Sequence, residues 1–391
     1  MAEPPEGRGD GADPIVAHAA IAHDWFQGYH GAERAVDVLR TDVFASDAPP
    51  DIFTFHAARD VIPPDLAASI VRESRLGRLP WFRQRGHDPG HWRLLVPYMP
   101  YYFDHLKLDA YDVVVSSSHA FATNVRTRPD ALHVCYCYTP IRYVWLPTTD
   151  ERRMAGITRV ALGALRGRLR QIDLAASKRP DAYVAISSAV RDRIRAIYGR
   201  DAEVVPPPVD VDDFDPTAEK EPETFLWVHR LVDYKRPELV VEAFRGLPYR
   251  LTMVGVGPLE ERVRAALPPN VELLGWLPRE ELARRLSRAA GFVHVAEEDF
   301  GISMVEALAA GTPVIALGRG GALDIVRPGV DGVLIDEATE EELRRAVRSV
   351  AASQWNQREL ATRAAAFSRA AFAARMRHFL REAGAARGLA L

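Results

Sequence analysis

Two doubly wound α/β domains are predicted by three observations on this 391-residue chain. Short apolar runs alternate with stretches of helical period over its whole length, Pro206-Pro207-Pro208 interrupts that rhythm once, and the length exceeds one ordinary core. Strands alternating with helices imply parallel sheets joined by right-handed crossovers. A single core stops growing at roughly 250–300 residues, so two domains of under about two hundred residues each follow.

In the first half the apolar runs 15–22, 113–115, 132–137, 182–186 and 203–205 read as strands, and 32–39 and 189–198 as helices. The three prolines cannot enter a helix or a central strand, so they form a stiff extended linker. The domains are accordingly placed at 15–207 and 208–369. In the second, strands at 225–228, 251–254, 271–274, 292–295, 314–316 and 332–335 alternate with helices at 237–244, 259–266, 280–287, 303–310 and 340–350. The stretch 358–384 is rich in Ala and Arg and helical in period, and residues 1–14, rich in Gly, Pro and acid, read as a disordered tail.

Composition removes several function classes. A hydrophobic content of 48% is globular, and the net charge of −3 argues against a general nucleic-acid binder. Apolar runs stay well short of the roughly eighteen residues of a spanning helix, and the first residues carry no apolar signal core. Cys135 and Cys137, one residue apart, suit neither a disulfide framework nor a four-ligand metal site. They read as small core residues of a strand, and a reducing cytosol as the simplest compartment.

The chemistry concentrates in Glu298-Asp-Phe-Gly-Ile-Ser-Met-Val-Glu306. If 291–295 is a strand and 303–310 a helix, Glu298 lies past the strand's carboxyl end and Glu306 one turn inside the helix. The free N–H groups of Gly301, Ile302 and Ser303 then open the helix, whose positive end suits a phosphate. Acceptors for hydroxyls beside donors for phosphate can hold a sugar nucleotide. Arg230 and Lys235 lie between a strand and its helix, where open α/β sheets place ligands. Cations fixed there stabilise a departing diphosphate. In Val254-Gly255-Val-Gly257-Pro258 the third glycine of a dinucleotide loop is replaced by Glu260, which removes the dehydrogenase reading.

With the trailing Gly311-Thr-Pro-Val314, the Glu298–Glu306 segment resembles the E-x7-E signature of retaining GT-B glycosyltransferases of family 4. Further resemblances are His229-Arg230-Leu…Tyr234-Lys235-Arg236, with His229 in place of the family's glycine, and His23-Asp24-Trp25…Gly31-Ala-Glu33-Arg34, with His30 in place of another. Cys135-Tyr-Cys-Tyr-Thr-Pro-Ile-Arg142-Tyr143 is similar to the mannosyltransferase-like branch. The resemblance implies two Rossmann-like domains facing across a cleft, the first for the acceptor and the second for the donor, with a C-terminal helix at about 370–391 crossing back to the first.

It also implies a retaining hexosyltransferase acting without metal or cofactor. A nucleotide diphosphate sugar, GDP-mannose being the donor considered, would pass its sugar to a glycan, lipid-linked or small-molecule hydroxyl. Glu298, His119, Arg230 and Lys235 would be catalytic. Donor contacts would come from Gly31, Gly255, Gly257, Leu274, Phe300, Gly301, Ile302, Ser303 and Glu306 as well as Arg230, Lys235 and Glu298. Asp24, Glu33 and Arg142 would meet the acceptor. Asp210-Val-Asp212-Asp213 follows the proline linker and reads as plain connection, not as a metal site.

Residues 72–102 mix Arg72, Arg75, Arg78, Arg83, Arg85 and Arg93 with Trp81, Phe82, Trp92, Tyr98, Tyr101 and Tyr102. They suit either a helix pair with core aromatics or contact with an anionic membrane, placing the protein in the cytoplasm or at the inner face of the cell membrane. The competing readings are a sugar-nucleotide epimerase of the same architecture and a non-catalytic glycan-binding scaffold.

Overall fold

The computed structural model describes residues 13–47, 49–76, 78, 79, 91–145 and 156–391, without the side chains of 92, 93 and 156–165. Of the basic aromatic segment, Trp81, Phe82, Arg83 and Arg85 therefore lie outside the described residues, as do residues 1–12 of the expected tail.

The chain divides into two compact units, one ending at Pro208 and taking back Arg369–Leu391, the other Val209–Ser368 with Ser187–Ala189. In the first unit the strands are β1 (Ala19–Phe26), β2 (Asp51–Ala57), β3 (Ile70–Glu73), β4 (Val113–Ser118), β5 (Leu132–Cys137), β6 (Ala182–Ala185) and β7 (Glu203–Val204). They form a sheet in the order β3-β2-β1-β4-β5-β6-β7, every described pair parallel. β2 and β3 are additions to the sequence reading. Asp-Ile-Phe-Thr-Phe-His-Ala carries aromatic and β-branched residues suited to a strand, but its buried polar residues mask the apolar run. The first strand also starts later than residue 15, which makes an isolated bridge to Phe44.

In the second unit β8 (Glu221–Val228), β9 (Arg250–Val254), β10 (Val271–Leu273), β11 (Ala289–His294), β12 (Val314–Leu317) and β13 (Gly332–Ile335) assemble as β10-β9-β8-β11-β12-β13, again parallel. Their apolar residues face helices such as Pro237–Phe244 and Glu340–Ala352. Phe225, Trp227, Val240, Phe244, Leu251, Val293, Ile315 and Val347 share one core. Each such side chain contributes about 1.5–3 kcal/mol on burial. The first unit's core joins Phe55, Met99, Phe103, Phe121 and Val144.

Both strand orders reverse once, between β1 and β4 and between β8 and β11. Open parallel sheets bind ligands outside the carboxyl ends of the strands at such reversals. The candidate residues after β1, β4, β8 and β11 fall at these two places.

The stretch 358–384 forms two helices, Gln357–Ala365 and Arg369–Ala385. The second packs on the first unit, where Arg369 pairs with Asp42 at 3.3 Å, Arg377 donates to the Asp42 carbonyl and Phe372 meets Tyr136 edge-on. Cys135 and Cys137 are buried in β5 and are not joined in a disulfide. Among the described residues no helix is long and apolar enough to cross a membrane. Tyr102 is buried with its hydroxyl donating to the Thr54 carbonyl at 2.8 Å, and Tyr98 packs against the core, whereas Tyr101 stays exposed.

Candidate functional site

At the second unit's reversal, β8 runs into the segment His229–Arg236. Asp233–Lys235 makes a single tight turn, and Arg236 takes the left-handed conformation (φ 52°) before Pro237 opens the next helix. The proline that follows disfavours the right-handed helical region at Arg236, and a positive φ is uncommon in a residue with a side chain. Arg230 is exposed. Lys235 is buried and forms an ion pair with Glu298.

Glu298 follows β11 and is held through its backbone. Gly321 N–H donates to the Glu298 carbonyl at 2.9 Å, and a Cβ on Gly320 would collide with that oxygen. Gly320 and Gly321 were missed by the sequence reading, although the run Gly318-Arg-Gly-Gly321 after a strand was their visible signal. Phe300 is buried against Phe367, with ring centroids 5.7 Å apart. Gly301 then caps the helix Ile302–Ala309 at φ 102°, a value that only glycine adopts readily. Gly301 brings no side chain to cap this helix start and the first turn holds no acid, so Ile302 and Ser303 sit at its positive end.

Glu306 lies one turn inside the same helix, buried, and pairs with Arg279. Arg279 also donates to Asp213 at 3.0 Å and stacks over Phe214 at 4.8 Å. The sequence reading passed over Arg279, an arginine lost among many. Gly255 and Gly257 support the cationic segment by close packing. A Cβ on either would strike the carbonyl of His229 or of Leu231. Leu231 N–H donates to the Val256 carbonyl at 3.0 Å, and Gly255 N–H to the Gly275 carbonyl at 2.7 Å, next to half-buried Leu274. His229 keeps an ordinary negative φ, so Gly255 rather than residue 229 carries the backbone demand.

At the first unit's reversal Asp24 is committed to the fold. Its carboxylate is fully buried and accepts four backbone N–H groups, those of His119, Ala120, Phe121 and Ala122, at 2.7–2.8 Å. Two bonds to each oxygen leave little for an acceptor, so Asp24 organises the turn that carries His119. The His119 ring stands edge-on to Trp25 at 4.4 Å with Nδ1 3.6 Å from the Asp24 carboxylate. Burial lowers its pKa, with Asp24 opposing.

Glu33 is held within the fold likewise. It is 6% exposed and accepts the His30 N–H at 3.1 Å, closing the start of the helix Gly31–Val38. Burial pushes its carboxyl up to about 7. Arg142 opens the short helix Arg142–Trp145 and is half-buried.

Residues 29–213 match the family described as Glycosyltransferase Family 4, and residues 209–368 match Glycosyl transferases group 1. The chain belongs to glycosyltransferase family 4. Its fold is GT-B: sucrose-phosphate synthase from Thermosynechococcus elongatus superposes with a TM-score of 0.67 at 19% identity, covering 94% of this chain and 100% of that one. Among relatives of this family 4 chain, a D-inositol 3-phosphate glycosyltransferase of Geodermatophilus obscurus is 34% identical over 188 residues, 40% of this chain and 42% of that protein. A GDP-mannose-dependent α-(1-6)-phosphatidylinositol monomannoside mannosyltransferase of Mycobacterium tuberculosis is 30% identical over 198 residues, 43% of this chain and 51% of that protein. The chain thus spans about half or less of the length of these curated relatives.

Proposed function

We propose that this protein is a retaining, metal-independent glycosyltransferase that moves a hexose, mannose or a close relative, from a nucleoside diphosphate to a hydroxyl of a glycan, lipid-linked or small-molecule acceptor. The observation that carries the reading is the meeting of Lys235 and Glu298 beside the glycine-opened start of the helix Ile302–Ala309. A cation, helix-terminal amides and a carboxylate suit a ligand that is anionic at one end and hydroxylated at the other.

In this reading Lys235 and Arg230 stabilise the charge that gathers on the diphosphate as the glycosidic bond breaks. The amides of Gly301, Ile302 and Ser303 hold phosphate or sugar oxygens, Glu298 accepts from sugar hydroxyls, and Glu306 from the ribose. His119 contacts the donor sugar. The departing phosphate takes the acceptor's proton on the same face, which gives retention without a protein nucleophile. The names of the inositol-phosphate and phosphatidylinositol mannoside relatives support a polyol or lipid-linked acceptor, met in the cytoplasm or at the inner membrane face.

Calorimetry and diphosphate release with a panel of nucleotide sugars test this. We expect binding of one donor class and release of free nucleoside diphosphate when acceptor is added. Release of an altered nucleotide sugar instead would make it an epimerase, and the absence of any binding would overturn the reading.

A further inference from the structure

Behind the Gly301 cap lie two side chains that this chemistry leaves unused. His229, just past β8, and His294, the last residue of β11, meet edge to face with ring centroids 4.6 Å apart. Trp227 and Phe292 flank His229 at 4.9 and 6.0 Å. His294 is fully buried and His229 is 9% exposed. Neither nitrogen of His294 has a hydrogen-bond partner, and neither does Nε2 of His229. An apolar pair of the same shape would avoid the cost of three unpaired buried nitrogens, so their presence asks for a ligand.

Their placement identifies which ligand. The Cε1–Nε2 edge of His294 lies 3.6 Å from where a Cβ on Gly301 would stand, directly behind the residue whose neighbours present the helix-start amides. The two strands that carry the rings also lead into Lys235 and Glu298. Burial keeps both rings neutral, helped by the Lys235 charge, and His294 further opposes protonation of His229. The helix Ile302–Ala309 brings the Met304 side chain to the cap and no acid in its first turn.

We propose that the His229–His294 pair belongs to the donor site, with His294 donating an N–H bond to an anion seated at the Gly301 cap and the pair taking up a proton as a nucleoside diphosphate arrives. An incoming anion offsets the Lys235 field and supplies the missing acceptor, so both obstacles to an imidazolium fall together. The inference rests on the donor reading above.

Calorimetry of the full chain with ADP, GDP and UDP, over about pH 5.5 to 8 in buffers of different ionisation heat, tests it. The wild type is expected to take up protons on binding beyond those of the nucleotide and to bind more weakly as pH rises. His294→Leu should lose that uptake and bind about tenfold more weakly, while its Tm stays equal or rises. His294→Gln keeps an N–H donor that cannot titrate, so it should recover affinity with a flat pH profile. Wild-type affinity and proton count in His294→Leu would overturn the proposal, as would binding by the wild type without proton uptake. If no nucleotide binds the wild type, the donor reading itself falls.

Discussion

The turns after β4 and β11 solve the same problem in opposite ways. Each follows a strand at a sheet's reversal and presents consecutive backbone N–H groups that need an acceptor. After β4 the acceptor is internal, because Asp24 takes the amides of residues 119–122. Glu33 does the same for His30 one turn into the neighbouring helix. After β11 the N-cap is Gly301, which has no side chain to cap the helix, and Glu298 is paired with Lys235. The first unit thus uses these amides to hold its own turn, while the second opens its helix on a glycine.

The largest effect should come from breaking the first arrangement. Asp24→Ala leaves four amides without their acceptor, and at about 1–3 kcal/mol per unpaired group the loss should reach about 4 kcal/mol or more. Urea unfolding would show it, and a wild-type midpoint would remove Asp24 from its organising role. Lys235→Ala breaks the second arrangement and should lower turnover by about 10²–10³-fold with little change in Tm, since a transition-state charge contact is lost.

A smaller effect separates the two caps by pH. The Glu33 carboxyl is held near 7 in the fold against 4.5 when free, so the folded state binds the extra proton between those values. Stability should therefore fall as pH rises from about 4.5 to 7, by about 2–3 kcal/mol, and Glu33→Gln should flatten that slope in thermal melts. The smallest effect sharpens the contrast. Glu298→Gln releases Lys235 from its pair, so a bare nucleoside diphosphate should bind as well or up to about tenfold better, while the nucleotide sugar loses its hydroxyl acceptor and binds worse. Calorimetry with both ligands would show whether the two affinities move in opposite directions; a parallel loss would mean that Glu298 does not read the sugar.

Much of this was legible beforehand where local chemistry dominates. The strand, turn and helix around Glu298–Glu306 follow from an apolar run, a glycine and a helical period, and the structure reproduces them within a residue or two. The proline boundary falls within one residue of the unit division. Legibility failed where a residue's role depends on partners far along the chain. Asp24 read as an acceptor contact because its four donors lie about a hundred residues away. Arg279 was one arginine among many until its pairing with Glu306 appeared. His229 was visible as a departure from a glycine, but its contact with His294 was not.

The order of polar and apolar residues alone determined that the chain forms alternating parallel strands and helices in two halves, because period and punctuation act over a few neighbours. It also determined that a helix opens at Gly301. Which carboxylates are spent on the fold and which remain for a ligand was decided only in three dimensions, since a hydrogen-bond acceptor is used up by whichever donor folding brings to it.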